Sequence, residues 1–448
     1  SEPQLKYLYP KDLANYITNH WQSLDKARDG KRATDSVWES LALPDKEALE
    51  DLLSTCYQAS LMTHEGENVA FRLILADPDQ FAAFEGLPEG VQKLEFADYL
   101  PFSTSTLRRL SPAASYSRSM IGIRFDAEVG LEIWGIIHTG PRWLHRSHGG
   151  RGAPPKLPPA LVIKVMGPGT LEVSRGNKTL VSLSEGKVLG QSLNVFSSAW
   201  LQEWFEPIRQ ERLELHRQAS QGTDEEWSEL DPELTKIIDQ QMMKRVIAAM
   251  RAFRHGGTLI FIPPDRAAEL TRSNPYLTMK YKFAEGEGRA RFRTLIIEIM
   301  NTLASLPSAN SHLVGWEEYQ QTMDARIIPL DESIFEMSHL ISSLSVADGA
   351  VVLTKRFEIL GFGAEIHCET TEVGTITKSL DLEGSKCRTE STLGVGTRHR
   401  SAYRICHELK DALAIVVSQE GNVQFVRWSG DRLVFWEHQG SYDFSTVN

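Results

Sequence analysis

Residues 232–264 change from helical to strand periodicity across two glycines, and that change limits what the chain can build. Leu234, Ile237, Ile238, Met242, Val246, Ala249 and Met250 recur at helical spacing and form a broad apolar face. The pattern stops at His255-Gly256-Gly257, where glycine supplies a left-handed cap. Residues 258–262 follow as a short apolar strand, and Pro263-Pro264 prevents its continuation. An amphipathic helix feeding an apolar strand calls for helices layered on a sheet, an α/β class. Pro232 suits the start of the helix, and the polar, acidic residues 221–231 before it mark a domain boundary.

Upstream, residues 9–60 read as helices, with Leu13, Tyr16, Ile17 and Trp21 at helical spacing. Strands are expected over residues 69–75, 120–125, 130–137 and 160–165. A hairpin over residues 171–183 turns at Arg175-Gly176-Asn177-Lys178. A helix over residues 199–219 closes this region, in which Trp200, Trp204 and Phe205 read as packing residues. Residues 1–225 are thus expected to form a mixed α+β domain. The loop over residues 140–159 carries His145, His148, Arg142, Arg146 and Arg151, with His138 just ahead of it. Its histidine spacing suits no single helix face, so it reads as a solvated basic loop, with an anion or nucleotide sensor loop as the alternative.

At 448 residues, with 41% hydrophobic and 24% charged, the chain has the composition of a soluble globular protein of two or three domains. A formal net charge of -11 argues against a general nucleic-acid binder, since phosphate-backbone affinity needs a basic excess. No apolar stretch approaches the length of a membrane span, so no membrane partner is expected. Ser1-Glu2-Pro3-Gln4 lacks the layout of a signal peptide. Cys56, Cys368, Cys387 and Cys406 lack metal-ligand spacing, which suits free thiols and a cytoplasmic location.

Two short runs carry the chemistry. Asp348 lies between Ala347 and Gly349-Ala350, ahead of the apolar Val351-Val352-Leu353, where small neighbours let a ligand approach the backbone. Asp-Gly alone reads as a hairpin turn leading into the strand. About fifty residues on comes Gly396-Thr397-Arg398-His399-Arg400-Ser401-Ala402, ahead of a helix expected over residues 401–409. Free backbone N–H groups, the Thr397 hydroxyl and two forked guanidinium groups suit phosphate oxygens. A third run, residues 411–421, is an apolar strand ending in Ser418, Gln419 and Glu420.

Together, in this order, these runs resemble the diadenylate cyclase (DAC) domain, over roughly residues 232–440. The resemblance implies a C-terminal DAC-type mixed β-sheet flanked by helices, over residues 232–448, behind an N-terminal sensor or regulatory domain. It implies condensation of two ATP into cyclic di-AMP with release of pyrophosphate, a divalent metal (Mg2+ or Mn2+), and a homodimer with two sites face to face. Asp348, Arg398, His399 and Arg400 are then the catalytic set, with Asp348 and Glu420 on the metal. Gly349, Ala350, Gly396, Thr397, Ser401 and Ser418 join the arginines around the nucleotide. The family commonly shows Val-Ser-Glu-Glu where this chain has Gln419, and some members carry histidine where Ala347 stands. Residues 273–323 look like an insertion, with a charged patch over residues 280–293. The polar spacer 369–392 is longer than in compact members, as a lid or a contact between subunits. Asp331 is placed to cap a helix bearing Ile334, Met337, Ile341 and Leu344, and the strand over residues 359–366 is expected to border the adenine slot. A catalytically silent nucleotide-binding sensor on the same fold is the alternative.

Overall fold

A computed structural model describes residues 7–22, 41–81, 90–145, 148–184, 186–190, 194–306, 313–368 and 373–438. Arg146 of the basic loop, the first four residues of the 369–392 spacer and residues 307–312 of the insertion lie outside them. The chain divides into two compact units. The first takes Ser1–Arg146 and Ala153–Ser192, and the second takes Ser147–Gly152 and Leu193–Gly440.

The first unit is built on an eight-stranded sheet. Its strands are β1 (Phe71–Leu75), β2 (Gln92–Pro101), β3 (Ser119–Asp126), β4 (Gly130–His138), β5 (Leu161–Gly167), β6 (Thr170–Arg175), β7 (Lys178–Ser184) and β8 (Lys187–Gly190). They lie in the order β8-β7-β6-β5-β1-β3-β4-β2, antiparallel except where β1 runs parallel to β3. Helices α1 (Pro10–His20) and α2 (Lys46–Ser60) bury Leu13, Ile17, Leu49, Leu52 and Leu53 in one core with Phe71, Leu73, Ile121 and Ile163. The alternate strand residues Ile74, Met120, Trp134 and Val162 form a second core, as period-two side chains require. Strand β2 escaped the sequence because it is an edge strand with mostly exposed side chains and no clean alternation.

The second unit begins ahead of helix α3 (Ala199–Gln221), which the sequence assigned to the N-terminal region. Its Leu201 and Phe205 belong to the core of the second unit. Helix α4 (Pro232–Ala252) starts where Asp231 accepts from the Glu233 amide at 2.9 Å, and it leads into β9 (Gly257–Ile262). Residues 273–323 then contribute β10 (Leu277–Lys282) and α5 (Arg291–Ser305). Helix α6 (Ile327–Leu344) precedes β11 (Ala350–Thr354) and β12 (Ile359–Ile366). The chain continues through β13 (Thr375–Ser379), β14 (Cys387–Ser391), α7 (Thr397–Glu408), β15 (Leu413–Val417), β16 (Val423–Ser429) and β17 (Arg432–His438).

These strands make one mixed sheet in the order β10-β12-β11-β9-β15-β16-β17-β13-β14. Leu259, Phe261, Val351, Leu353 and Ile415 face a core shared with α4, α5 and α6. Ile260, Val352, Ala414 and Val416 face the other side, under Ala402, Ile405 and Cys406 of α7. The unit is therefore a mixed sheet with helices on both faces, as expected.

Two expectations change in detail. Asp331 sits inside α6 and caps nothing; Arg245 pairs with it at 3.0 Å and the Tyr319 hydroxyl donates to it at 2.9 Å. Arg151 of the basic loop is not solvated, because it donates to Tyr319 O at 2.7 Å and Thr322 O at 2.8 Å, and lies 3.4 Å from Asp331. The described part of the 369–392 spacer is the β13–β14 hairpin, which extends the sheet parallel to β17. At its tip Glu383 accepts from the Ala199 amide at 2.8 Å, and Leu382 O accepts from the Trp200 indole at 3.0 Å, so the hairpin caps α3. Among the described residues no helix is long and apolar enough to cross a membrane.

Candidate active site

The register of the sheet decides which loops meet. Thr258 pairs with Ala350 on one side and with Val416 on the other. The starts of β9 and β11 and the end of β15 therefore lie along one end of the sheet. Gly256, Asp348 and Ser418 stand there on three adjacent strands.

At the first position the chain leaves α4 through Gly256 at φ +66, a left-handed conformation that disfavours a side chain. A Cβ there would lie 2.7 Å from Val417 O, 3.0 Å from Arg398 Nη1 and 3.1 Å from the Ser418 carbonyl carbon. The bare glycine thus lets the Arg398 guanidinium rest against the backbone at the end of β15. Arg398 comes from the first turn of α7, which Gly396 opens without any side-chain cap and which holds no acidic residue. Thr397, Arg398 and Arg400 are exposed there, while His399 and Ser401 are half-buried. An uncapped helix start with three exposed donor side chains presents partial positive charge to solvent.

Residues 418–422 form a tight turn. Ser418 Oγ accepts from the Asn422 amide at 3.1 Å, and the Ser418 amide donates to Asn422 O at 2.8 Å. Glu420 at the tip is held below the usual carboxyl range by backbone and Ser418 hydrogen bonds and by nearby His399. Burial pushes the His399 imidazole down, with the Arg398 charge acting the same way and Glu420 opposing.

Asp348 is exposed at the end of α6. Gly349 at φ +106 lies flat on β12, where a Cβ would come within 2.6 Å of Gly363 C and 2.8 Å of Ala364 N. The Asp348 carbonyl lies 3.5 Å, and Lys280 Cβ 3.3 Å, from the point a Cβ on Gly363 would occupy. Lys280 Nζ pairs with Glu365 at 2.8 Å, and it is held above the usual lysine range by Glu365 first and then by Asp348. Asp348 is one strand from Gly256 and two from Ser418, or about 10 Å at a strand spacing of ~4.8 Å. Asp348 and Glu420 thus share one sheet end. Among the described residues no three His, Cys, Asp or Glu side chains cluster as a metal cage.

The structure brings Arg398, His399, Ser418 and Glu420 into one neighbourhood, with Asp348 beside it. Sequence reasoning read Gly256 only as a cap and Lys280 only as part of a charged patch, since neither fits a motif.

Residues 317–429 match the family described as DisA bacterial checkpoint controller nucleotide-binding, the DAC domain. The second unit carries a DAC domain. Residues 38–138 match the family described as Probable sensor domain DACNV, so the first unit carries a DACNV domain. The DAC match holds Asp348, the Thr397–Arg400 run, Ser418 and Glu420, whereas Gly256 and Lys280 precede it. No curated protein matches the chain. A solved structure titled hypothetical membrane spanning protein from Bacillus cereus is 15% identical over 54% of this chain and 93% of its own. Its TM-score is 0.22, too low to carry an argument.

Proposed function

We propose that this DAC domain is a diadenylate cyclase, joining two ATP molecules into cyclic di-AMP with release of two pyrophosphates. The observation that supports this best is the meeting of Arg398 with Gly256 and Ser418 at the sheet end that also carries Asp348. In the reaction each ribose 3′-oxygen attacks the α-phosphorus of the other nucleotide. The new P–O bond forms as the bond to the β-phosphate bridge breaks, and the 3′-proton is lost. Such a transfer depends on positioning and on neutralising phosphate charge. Arg398 and Arg400 grip phosphate oxygens, Gly396, Thr397 and Ser401 bring the helix start to them, and Ser418 holds the turn. His399, whose burial favours the uncharged imidazole, donates one hydrogen bond to a phosphate oxygen.

Asp348 and Glu420 are exposed, and among the described residues neither forms an ion pair, which fits hard-oxygen ligation. Mg2+ at nucleotide sites uses one or two carboxylates, with phosphates and water completing the shell. Asp348 would hold such an ion, with Glu420 on the phosphate side, and Gly349-Ala350 leave space for it. When bound, Mg2+ or Mn2+ lowers the proton affinity of the 3′-hydroxyl and neutralises developing charge.

Each site takes one ATP, and the product is a two-fold ring. The active species is therefore at least a homodimer with two sites facing each other. In this reading the DACNV domain regulates that pairing, and four cysteines without disulfides fit a cytoplasmic protein. Incubating the purified chain with ATP and Mn2+ or Mg2+ and separating the nucleotides tests the activity. Cyclic di-AMP is expected; ATP binding without any cyclic dinucleotide would leave the silent nucleotide-binding sensor. Mixing Asp348→Asn chains with wild type tests the dimer, since a shared reaction makes the variant dominantly inhibitory.

A further inference from the structure

The edge of the second sheet away from Arg398 carries a feature that the DAC match does not cover. Strand β10, supplied by residues 273–323, places Tyr281 opposite Phe362 of β12. The two rings stack with centroids 4.7 Å apart at 21°, and Phe283 stacks on Phe362 from 5.8 Å at 29°. Tyr281 is nevertheless 56% exposed and Phe283 38%. A row of stacked rings left open on an edge strand is costly unless something covers it.

The position of Asp348 says what that cover is. The point that a Cβ on Gly363 would occupy lies 3.4 Å from Tyr281 Cδ2 and 3.5 Å from the Asp348 carbonyl. The Tyr281 ring and Asp348 therefore flank the same bare stretch of β12. Arg398, which grips phosphate, lies on the opposite side of Asp348, against Gly256 and Ser418. From β10 to β9 is three strand spacings, about 14 Å, within reach of one extended nucleoside triphosphate. A nucleotide whose phosphates meet Arg398 and whose ribose lies at Asp348 carries its base toward β12 and β10.

We propose that Tyr281 is the stacking platform for the base of the nucleotide bound at this site. The inference rests on the functional reading above and adds to it a base-binding residue that no match includes. Phe362 backs one face of the ring and fixes its plane, so little side-chain freedom is lost when a base covers the other face. Stacking tolerates any base, because every base has a π-face. The platform accordingly supplies affinity for a nucleobase, while choice among bases falls to other groups.

The test uses the full chain, Mg2+ and two probes in titration calorimetry: 3′-deoxy-ATP, which cannot cyclise, and inorganic tripolyphosphate, which has no base. Tyr281→Ala is expected to weaken 3′-deoxy-ATP by on the order of ten- to a hundredfold and to leave tripolyphosphate unchanged. 3′-Deoxy-GTP should lose the same factor where it binds. Tyr281→Phe and Tyr281→Trp should keep most of the affinity, and Tyr281→Leu, which keeps bulk without a π-face, should behave as alanine does. Thermal unfolding of each variant checks that the sheet edge is intact. Equal binding of 3′-deoxy-ATP by wild type and the alanine and leucine variants would overturn the platform, as would equal loss for both probes. Dissociation of the oligomer with nucleotide affinity intact, read by light scattering, would give the face to a second copy and also overturn it. If wild type bound neither probe, the site reading itself would fall and the platform with it.

Discussion

In the first unit Lys164 and Glu172 face each other across β5 and β6 at 2.5 Å, both buried, and Thr179 donates to the same carboxylate at 3.0 Å. Arg72, 2% exposed, donates to Tyr116 O at 2.8 Å and to Thr139 Oγ1 at 2.7 Å, with its guanidinium 3.8 Å from the Trp143 ring centre. In the second unit Arg398, Arg400, Asp348 and Glu420 are exposed, and among the described residues none of them forms an ion pair. Both sheets are large and mixed, so architecture does not distinguish them. The state of their charges does. A charge enclosed with its partner fixes strands to each other, because losing the partner strands it in a poor solvent. A charge left open beside a bare glycine, at the ends of strands, holds nothing in the fold and is available to a ligand.

By this contrast, the largest effect on function comes from an exposed residue that the fold does not need. Asp348→Asn keeps the shape and removes the charge, so turnover should fall at least about a hundredfold, the scale of metal-assisted charge stabilisation. Unfolding should be unchanged, and near-normal cyclic di-AMP formation would remove Asp348 from the metal. The first unit should show the reverse. Glu172→Gln leaves Lys164 buried without its counter-charge and should destabilise that unit by about 3 kcal/mol. Hydrogen exchange at the β5 and β6 amides reads this directly, with no change in nucleotide affinity; unaltered protection would break the comparison from its structural side.

Arg398→Ala comes next. A charge-assisted hydrogen bond contributes roughly 1.5–3 kcal/mol, so nucleotide binding should weaken on the order of ten- to a hundredfold. Arg398→Lys should recover only part, since the fork that lies against Gly256 and Ser418 is lost. Binding to wild-type strength by either variant would mean that the open guanidinium is not a phosphate donor.

The α7 side of this site is more legible in the sequence than its β10 edge, for a physical reason. The Gly-Thr-Arg-His-Arg run is a distinctive local pattern, although the helix expected over residues 401–409 begins earlier, at Thr397, so the run forms the first turn of α7. Strand β12 spans its expected limits, Ile359–Ile366. Strand β9 lies under helices on both faces, and its unbroken apolar run showed it directly. Strand β10 was read only as a charged patch. Its core-facing residues are just Leu277 and Met279, and the rest is exposed, as befits an edge strand. In the β13–β14 hairpin only β14 is an edge strand, and the register is set by the turn and by β17 rather than by apolar alternation. Asp331 shows a further limit: one acidic residue before an apolar helix looks like a cap, and only the packing of Arg245 and Tyr319 shows it to be internal.

The smallest effect belongs to a pair that lies between the two kinds of charge. Lys280 and Glu365 are partnered, as in the first unit, yet exposed beside Asp348, as at the open site. An exposed pair contributes little to the fold, so neither Lys280→Gln nor Glu365→Gln should change thermal stability measurably. Their influence on the site is through the field they set at Asp348. Removing the lysine leaves excess negative charge near a polyanionic substrate and should raise KM for ATP. Removing the glutamate should lower it. At 0.15 M salt each change should stay under about fivefold, since charges on an exposed surface are screened within ~8 Å. At 0.01 M salt the screening length grows to ~30 Å, so both changes should widen while keeping opposite signs. Opposite signs that widen at low salt would place the pair with the open charges, as a source of field. Changes of the same sign, insensitive to salt, would show that it acts by holding β10 against β12, and would place it with the structural pairs of the first unit.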